Sequence, residues 1–301
     1  MSDNAVTQGK AMANFIPEVW STKMSAVLDK SGVMMQCVNR DYEGEISKSG
    51  DTVQIRTFGD VTIHTYSGTI SSYDTLTDPI QTMIVDQQKA FYFKIDDIDK
   101  AQANIDITNG YIERARAAID LVKDSFLLGK HVDVPASNIV GYETEPVILN
   151  KDTVYSKFVD LSKRLKKANA LSNGQKPWVV INPDIEAVLI QAPEFIHATQ
   201  LGDKTLREGS IGRIAGLDVL VCTNLEATTV NTSDFDGDLY HVLAGTNDAI
   251  TFASQVVEVE KLRDQNSFSN LIRGLYVYGA KTVVPNALAK FICTLTSYTP
   301  S

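Results

Sequence analysis

Two groups of aspartates are the side chains in this sequence best suited to bind a cation, because carboxylate oxygens are the ligands that hard cations prefer. The later group, Asp234, Asp236 and Asp238, resembles part of a calcium loop. However, Gly237 is the fourth residue where the loop needs glycine sixth, and Gly245 stands where it needs glutamate. The earlier group consists of Asp96, Asp97, Asp99 and Asp106, and we interpret its members as turn and cap residues. We predict no metal site at either group.

Histidines and cysteines are the other candidates for catalysis, and neither kind forms a known pattern. The sequence contains no G-x-S-x-G and no H-E-x-x-H motif. Three cysteines, odd in number and far apart, argue against a disulfide framework and against a zinc site. We interpret them as small buried hydrophobic residues and predict no catalytic residue and no cofactor. The residues are His64, His131, His197, His241, Cys37, Cys222 and Cys293.

Two further stretches have residue types that bind phosphate. Gly209, Gly212 and Gly216 precede a predicted strand, and their spacing fits neither a dinucleotide-binding turn nor a phosphate loop. A predicted helix over residues 152–168 has a basic face, for which a solvated surface is the favoured interpretation over phosphate binding. Its cations are Lys157, Lys163, Arg164, Lys166 and Lys167.

Composition limits the function further. The chain has 301 residues, 44% of them hydrophobic, which is typical of about two globular domains. A net charge of -9 argues against a general affinity for nucleic acid. We find no run of eighteen apolar residues and no secretory leader, so we expect no membrane span and synthesis in the cytoplasm.

The longest helical pattern covers residues 105–129, which we call the spine helix. Apolar residues recur at three and four residues, so one face is predicted to be buried and the other solvated. Glu113, Arg116, Asp120 and Lys123 are assigned to the solvated face, and Gly129 to the end of the helix. The predicted buried stripe is Ile112, Ala115, Ile119, Val122 and Phe126.

Before the spine helix, the pattern changes to the two-residue period of β-strands. Residues 52–64 and 91–96 read as two long strand arms that flank a tip rich in Thr, Ser and Asp. This ribbon has too few large apolar residues for a core of its own, and an isolated two-stranded ribbon is marginally stable in water. We therefore expect it to rest on another subunit.

The rest of the chain alternates helices and strands. We predict a helix from Pro17 to near Gly32, a buried strand over residues 178–181, and a helix that Asn182 caps. Strands are predicted over residues 217–222, 249–261, 271–284 and 287–296. We expect the last of them to return to the spine helix, with the second domain inserted into the first.

The order of these parts resembles the major capsid proteins of tailed bacteriophages, whose fold is shared with encapsulin shells. The resemblance covers nearly the whole chain, and no single motif carries it alone. It rests on the phrases FIPEVWSTKM, NRDYEGEISKSGDTVQIRTFGDVTI, FKIDDIDKAQAN, KPWVVINPDIEAVLI, GRIAGLDVLV and GLYVYGAKTVVPNALA in that order.

The resemblance implies an α+β fold with an extended E-loop, a peripheral domain built on the spine helix, and an axial α/β domain. The implied boundaries are an N-terminal arm at 1–15, a first helix and peripheral entry at 16–43, the E-loop at 44–92, the peripheral domain at 93–150, the axial domain at 151–255, and C-terminal strands returning to the peripheral domain at 256–301.

It also implies a structural protein and not an enzyme. Subunits of this kind form hexamers and pentamers that close into an icosahedral shell around packaged double-stranded DNA, with a portal as a further partner and the virion as location. Polar and aromatic ribbon residues are our candidates for intersubunit contacts. They are Arg56, Asp60, Tyr73 and Asp74.

Two variations within the family can be assessed from the residues. Some members crosslink through an E-loop lysine, but residues 51–88 contain none, so we expect a shell without crosslinks. Some members carry a fused N-terminal scaffolding region, whereas the first helix here starts near residue 16, so we expect a separate scaffolding protein. Two alternatives stay open at this point: an encapsulin-like compartment with a cargo enzyme, and an α/β enzyme whose site is assembled only by the tertiary structure.

Overall fold

The computed structural model describes residues 32–42, 52–56, 61–66, 68, 73–75, 79–96, 107–171, 174–193, 212–225, 227–231, 236–265 and 267–295. The predicted arm and first helix lie outside the described residues, as do Asp60, Asp97, Asp99, Asp106, His197, Gly209 and Asp234. None of the helices in the described part is long and apolar enough to cross a membrane.

Three α-helices, thirteen strands and a few short 3-10 turns make up the regular structure of the described residues. The helices are α1 Ile107–Leu128, α2 Val154–Lys167 and α3 Pro183–Ile190. The strands are β1 Thr52–Arg56, β2 Ile80–Ile84, β3 Gln87–Asp96, β4 Ile139–Val140, β5 Val147–Ile148, β6 Trp178–Ile181, β7 Arg213–Ile214, β8 Leu217–Val221, β9 Thr228–Asn231, β10 Asp236–Gly245, β11 Ile250–Arg263, β12 Ser269–Thr282 and β13 Leu288–Thr294.

The predicted spine helix is α1, a helix of 22 residues. At about 1.5 Å per residue it is about 33 Å long. Its predicted stripe is wrong in the last turns, where Val122 is exposed while Lys123, Asp124 and Leu127 are buried. Lys123 is covered because its ammonium pairs with Asp120 and lies over the Tyr276 ring, 5.2 Å from the centroid.

A three-stranded antiparallel sheet, β11-β12-β3, lies beside the spine helix. β11 and β12 are each 14 residues long and form a long hairpin. Phe126 of α1 meets the Tyr278 ring of β12 edge to face, with centroids 5.2 Å apart. Aromatic contacts of this kind add to the apolar area that the packing buries.

The ribbon differs from the two long arms predicted. β1 pairs with β2, in the register Thr52↔Ile84 to Arg56↔Ile80, and residues 61–66 form no strand. The expected return arm is β3, which pairs along β12 instead. Pairing with β12 is more favourable for β3 than pairing in an isolated ribbon. β12 provides ten consecutive backbone partners within a packed sheet, whereas an isolated two-stranded ribbon is marginally stable.

The α/β part is an eight-stranded mixed sheet with the order β4-β13-β10-β6-β8-β7, to which β5 and β9 add at β13 and β10. Helix α2 buries Val154, Phe158, Leu161 and Leu165 in the core of this unit, as predicted. Asn182 caps α3 as predicted, because its side chain accepts a hydrogen bond of 2.9 Å from the Ile185 amide.

The last strand does not have the predicted neighbours. β13 pairs with β10, β4 and β5 in the eight-stranded sheet, while β11 and β12 pair with β3. The turn at 285–287 lies between β12, in the three-stranded sheet, and β13, in the eight-stranded sheet. All seven residues of β13 are buried, because the strand lies between β4 and β10 inside the α/β sheet.

Candidate assembly surface

The base of the ribbon is fixed to the sheet beside the spine helix. We call residues 52–84 the ribbon. Its inward side chains Val53, Ile55 and Met83 are buried with Ala253 of β11 and Val277 of β12. Burying apolar side chains of this size contributes roughly 1.5 to 3 kcal/mol each. The base is therefore part of the subunit core.

Gly279 lets the chain between β2 and β3 come close to β12. A Cβ atom at this position would lie 2.5 Å from the Ile84 carbonyl oxygen and 2.9 Å from the Val85 Cα. Both are backbone atoms, which cannot turn aside as a flexible side chain does. The Gln81 side chain adds a hydrogen bond of 3.1 Å to the Val283 carbonyl. A glycine in β12 thus sets where the ribbon leaves the sheet.

The outer half of the ribbon exposes large apolar and aromatic side chains instead of burying them. Ile63 is 89% exposed, Tyr73 87% and Tyr66 72%. Val61 is exposed as well, and so are Ile80 and Ile84 on the outward side of β2, nearer the base. Single exposed apolar residues are ordinary, but this many on one short extension is typical of a surface that another protein covers.

A few local hydrogen bonds order this exposed part. His64 Nε2 lies 2.7 Å from Asp74 Oδ2, across the two sides of the ribbon tip. The Tyr66 hydroxyl donates to the Gly68 carbonyl at 2.9 Å, and Gly68 has a positive φ of 100°. Such exposed bonds contribute little to stability, so they hold a shape without providing a core.

The four candidate contact residues have different positions. Arg56 is exposed at the end of β1, opposite Ile80, and Tyr73 is almost fully exposed. Asp74 is already paired with His64, while Asp60 lies outside the described residues. The structure brings Tyr73 and Asp74 together with His64.

Sequence reasoning missed the apolar members of this surface, which are Val61, Ile63, Tyr66, Ile80 and Ile84. The sequence did contain a signal for them. Apolar residues alternate with polar ones along these segments, and no other predicted strand offers an apolar face to cover them.

No protein-family model and no curated protein sequence matches the chain. Among solved structures, a chain of Mycobacterium phage Che8 is 29% identical, with a TM-score of 0.73 over 93% of this chain and 98% of that one.

The capsid of Cyanophage P-SCSP1u has a TM-score of 0.72 at 13% identity and covers 94% of both chains. The capsid of Ralstonia phage GP4 has a TM-score of 0.70 at 10% identity and covers 100% of both. The chain has the fold of the major capsid proteins of tailed phages. The resemblance drawn from the sequence is thereby confirmed, and so is the α+β fold class.

A second feature of this capsid protein joins its parts inside the subunit. The fully buried Asp124 of the spine helix accepts hydrogen bonds from the Val33 amide at 2.9 Å and the Met34 amide at 2.7 Å. Its other oxygen lies 3.0 Å from Cys222 Sγ, just after β8. Burial and this hydrogen bond raise the pKa of the Cys222 thiol to about 11, so the thiol stays protonated and donates. Asp124 thus links three segments of the capsid protein.

The remaining candidates for chemistry in the capsid protein have structural roles. Cys37 and Cys293 are buried, and burial raises the pKa of both thiols far above the usual range, which leaves no reactive thiolate. Asp238 accepts a hydrogen bond of 2.7 Å from the Thr229 hydroxyl. Within the described residues, no three His, Cys, Asp or Glu side chains come together as metal ligands would.

Two histidines meet where the spine helix ends against the α/β sheet. The rings of His131 and His241 stack with centroids 4.5 Å apart, and His131 Nδ1 lies 3.0 Å from the Leu128 carbonyl. Burial, the other ring and Lys290 lower the pKa of His241 to about 4. Burial also lowers the pKa of His131, while Glu143 opposes the shift in both rings. Both rings are therefore neutral at pH 7.

We expect the unassembled chain to lose stability as the pH falls from about 6.5 toward 4. The unfolded chain binds a proton at His241 in this window and the folded chain does not, so acid favours unfolding. Partial exposure of the ring reduces the loss to about 1 to 2 kcal/mol. Urea unfolding at pH 7.5 and 5 measures it. H241F should lose less stability between the two pH values than the wild type, and an unchanged pH dependence would contradict the assignment.

Proposed function

We propose that this chain assembles as hexamers and pentamers into an icosahedral shell that encloses packaged double-stranded DNA. The observation that carries the proposal is the ribbon, which is anchored at its base and exposes apolar and aromatic side chains beyond it. A neighbouring subunit would cover this surface, and obligate interfaces of this kind bury thousands of Å².

We also propose how the elements of the subunit are divided among its domains. Helix α1 and the β11-β12-β3 sheet would form the peripheral domain. The axial domain would be the eight-stranded sheet, which includes β4, β5 and β13, together with α2 and α3. The E-loop would be residues 44–92, with Arg56, Asp60, Tyr73 and Asp74 at the contact with the neighbour.

The partners proposed beyond self-assembly are a separate scaffolding protein and a portal. Negative-stain electron microscopy and sedimentation velocity of the purified chain test the assembly. Closed shells, tubes or rings of six are expected, with scaffold supplied where the chain alone stays small. A chain that stays monomeric even with its scaffold would contradict the function.

Mature particles are expected to dissociate into single chains on a denaturing gel. The reason is that residues 51–88 contain no lysine, so the ribbon has no amine with which to form an isopeptide bond. Boiled, reduced particles should give a single band at 33.0 kDa. A ladder of covalent multimers that survives reduction would show that the prediction is wrong.

A further inference from the structure

Helix α2 presents a ridge of positive charge on the outside of the α/β sheet. We call Lys163, Arg164, Lys166 and Lys167 the basic ridge. The three lysines are exposed, and Arg164 is half-buried with its guanidinium donating to the Ser137 carbonyl. The chain as a whole carries a net charge of -9, so this concentration of cations is local and opposes the overall balance.

The ridge is not needed to terminate the helix. Cations near a helix C-terminus often bond its last carbonyls. Here backbone amides already do so: Ala168 N donates to the Arg164 carbonyl at 2.9 Å, and Asn169 N donates to the Lys166 carbonyl at 3.1 Å. Asn169 makes this turn with a positive φ of 56°. The lysine ammonium groups are therefore available to a partner.

Open grooves flank the ridge on both sides. One, of about 500 Å³, lies between α2 and the turns at 136–138 and 285–287, with Asn138 and Asn286 in its wall. The other, of about 410 Å³, lies toward Ala215 in the β7–β8 turn. Lys163 and Lys167 line both grooves. Among the described residues of these walls, Asp160 is the one carboxylate.

These features fit a phosphate backbone better than a protein partner. Protein interfaces depend on buried aromatic or aliphatic anchors that fill pockets. The described walls contain no aromatic side chain, and Val159 is the one large apolar residue in them. A row of cations along an open ridge instead gains its affinity from the release of counterions, which needs no shape-specific pocket.

We propose that the basic ridge binds the phosphate backbone of packaged double-stranded DNA, without sequence preference. The identity of the nucleic acid rests on the proposed function, whereas the phosphate chemistry does not. The binding is weak because the acidic chain repels DNA elsewhere, and it falls steeply with salt. It also places this face of α2 on the inside of the shell.

Fluorescence anisotropy with the unassembled chain and a labelled duplex of about twenty base pairs tests the proposal. The variant is K163Q/K167Q, and the matched control is K89Q/K261Q, which removes two exposed lysines from β3 and β11. Each phosphate contact contributes about 0.9 to the slope of log affinity against log salt. The ridge variant should therefore lose about tenfold or more in affinity and flatten the slope by about two, while the control stays within about twofold.

Three results would overturn the proposal: no salt-dependent binding by the wild-type chain, equal losses in the ridge variant and the control, or competition by polyglutamate as strong as by unlabelled DNA. Two unrelated duplexes should bind equally, and circular dichroism should show both variants folded. Shell formation, followed by electron microscopy, reports on the proposed function separately, since particles can form while the ridge fails to bind DNA.

Discussion

The double variant I63D/Y73D is expected to abolish shell assembly while the free chain stays folded. Both side chains are more than 85% exposed in the subunit, so aspartate at either position leaves the subunit core unchanged. In an assembled shell each would lie against a neighbour. The substitution then removes buried apolar area, at roughly 1.5 to 3 kcal/mol per side chain, and adds a charge that must be desolvated.

The loss recurs at every contact between subunits, which makes its effect on assembly large. About 1.4 kcal/mol changes an association constant tenfold, so 4 kcal/mol or more per contact raises the concentration needed for assembly by about a thousandfold. Sedimentation velocity should show small species only. The urea unfolding midpoint of the free chain should match that of the wild type, because the ribbon base is untouched.

Two controls separate an interface effect from a change in charge or fold. I63V/Y73F keeps both positions apolar and should assemble. Y142D introduces the same kind of charge at an exposed tyrosine outside the ribbon, and it should assemble too. Particles of I63D/Y73D at wild-type yield would remove the ribbon from the interface and, with it, the observation on which the proposed function rests.

The substitution Asp124→Ala is expected to destabilise the free chain strongly. It leaves the Val33 and Met34 amides and the Cys222 thiol without their acceptor, in a place that water does not reach. Each buried donor left unsatisfied costs about 1 to 3 kcal/mol, so a total of about 3 to 5 kcal/mol is expected. This is a large fraction of the stability of an ordinary domain.

Urea unfolding of the unassembled chain measures this effect, and two variants bracket it. D124N keeps an oxygen for the two amides and should lose less than half as much stability as D124A. D120A removes the partly exposed pair with Lys123 on the same helix and should cost at most about 1 kcal/mol. A D124A variant as stable as D120A would show that the buried carboxylate does not tie the segments together.

Local patterns in the sequence predicted several of the described elements correctly. The stripe in 152–168, the Asn182 cap with Pro183 after it, and the apolar run at 178–181 each specify one local structure, because the interactions that decide them lie within a few residues. The lack of ribbon lysines is likewise a property of sequence alone. The resemblance to capsid proteins rested on the order of such elements.

Only the tertiary structure decided which strands pair and which side of the spine helix is buried. Strand pairing depends on residues that are far apart in the sequence. No local pattern therefore predicts that β3 pairs with β12 or that β13 pairs with β10. Asp124 is not part of the predicted apolar stripe, and it is buried because the Val33 and Met34 amides and the Cys222 thiol meet it there. The exposed ribbon face has the same origin: alternation predicts an apolar side, but only the fold shows that this subunit leaves it uncovered.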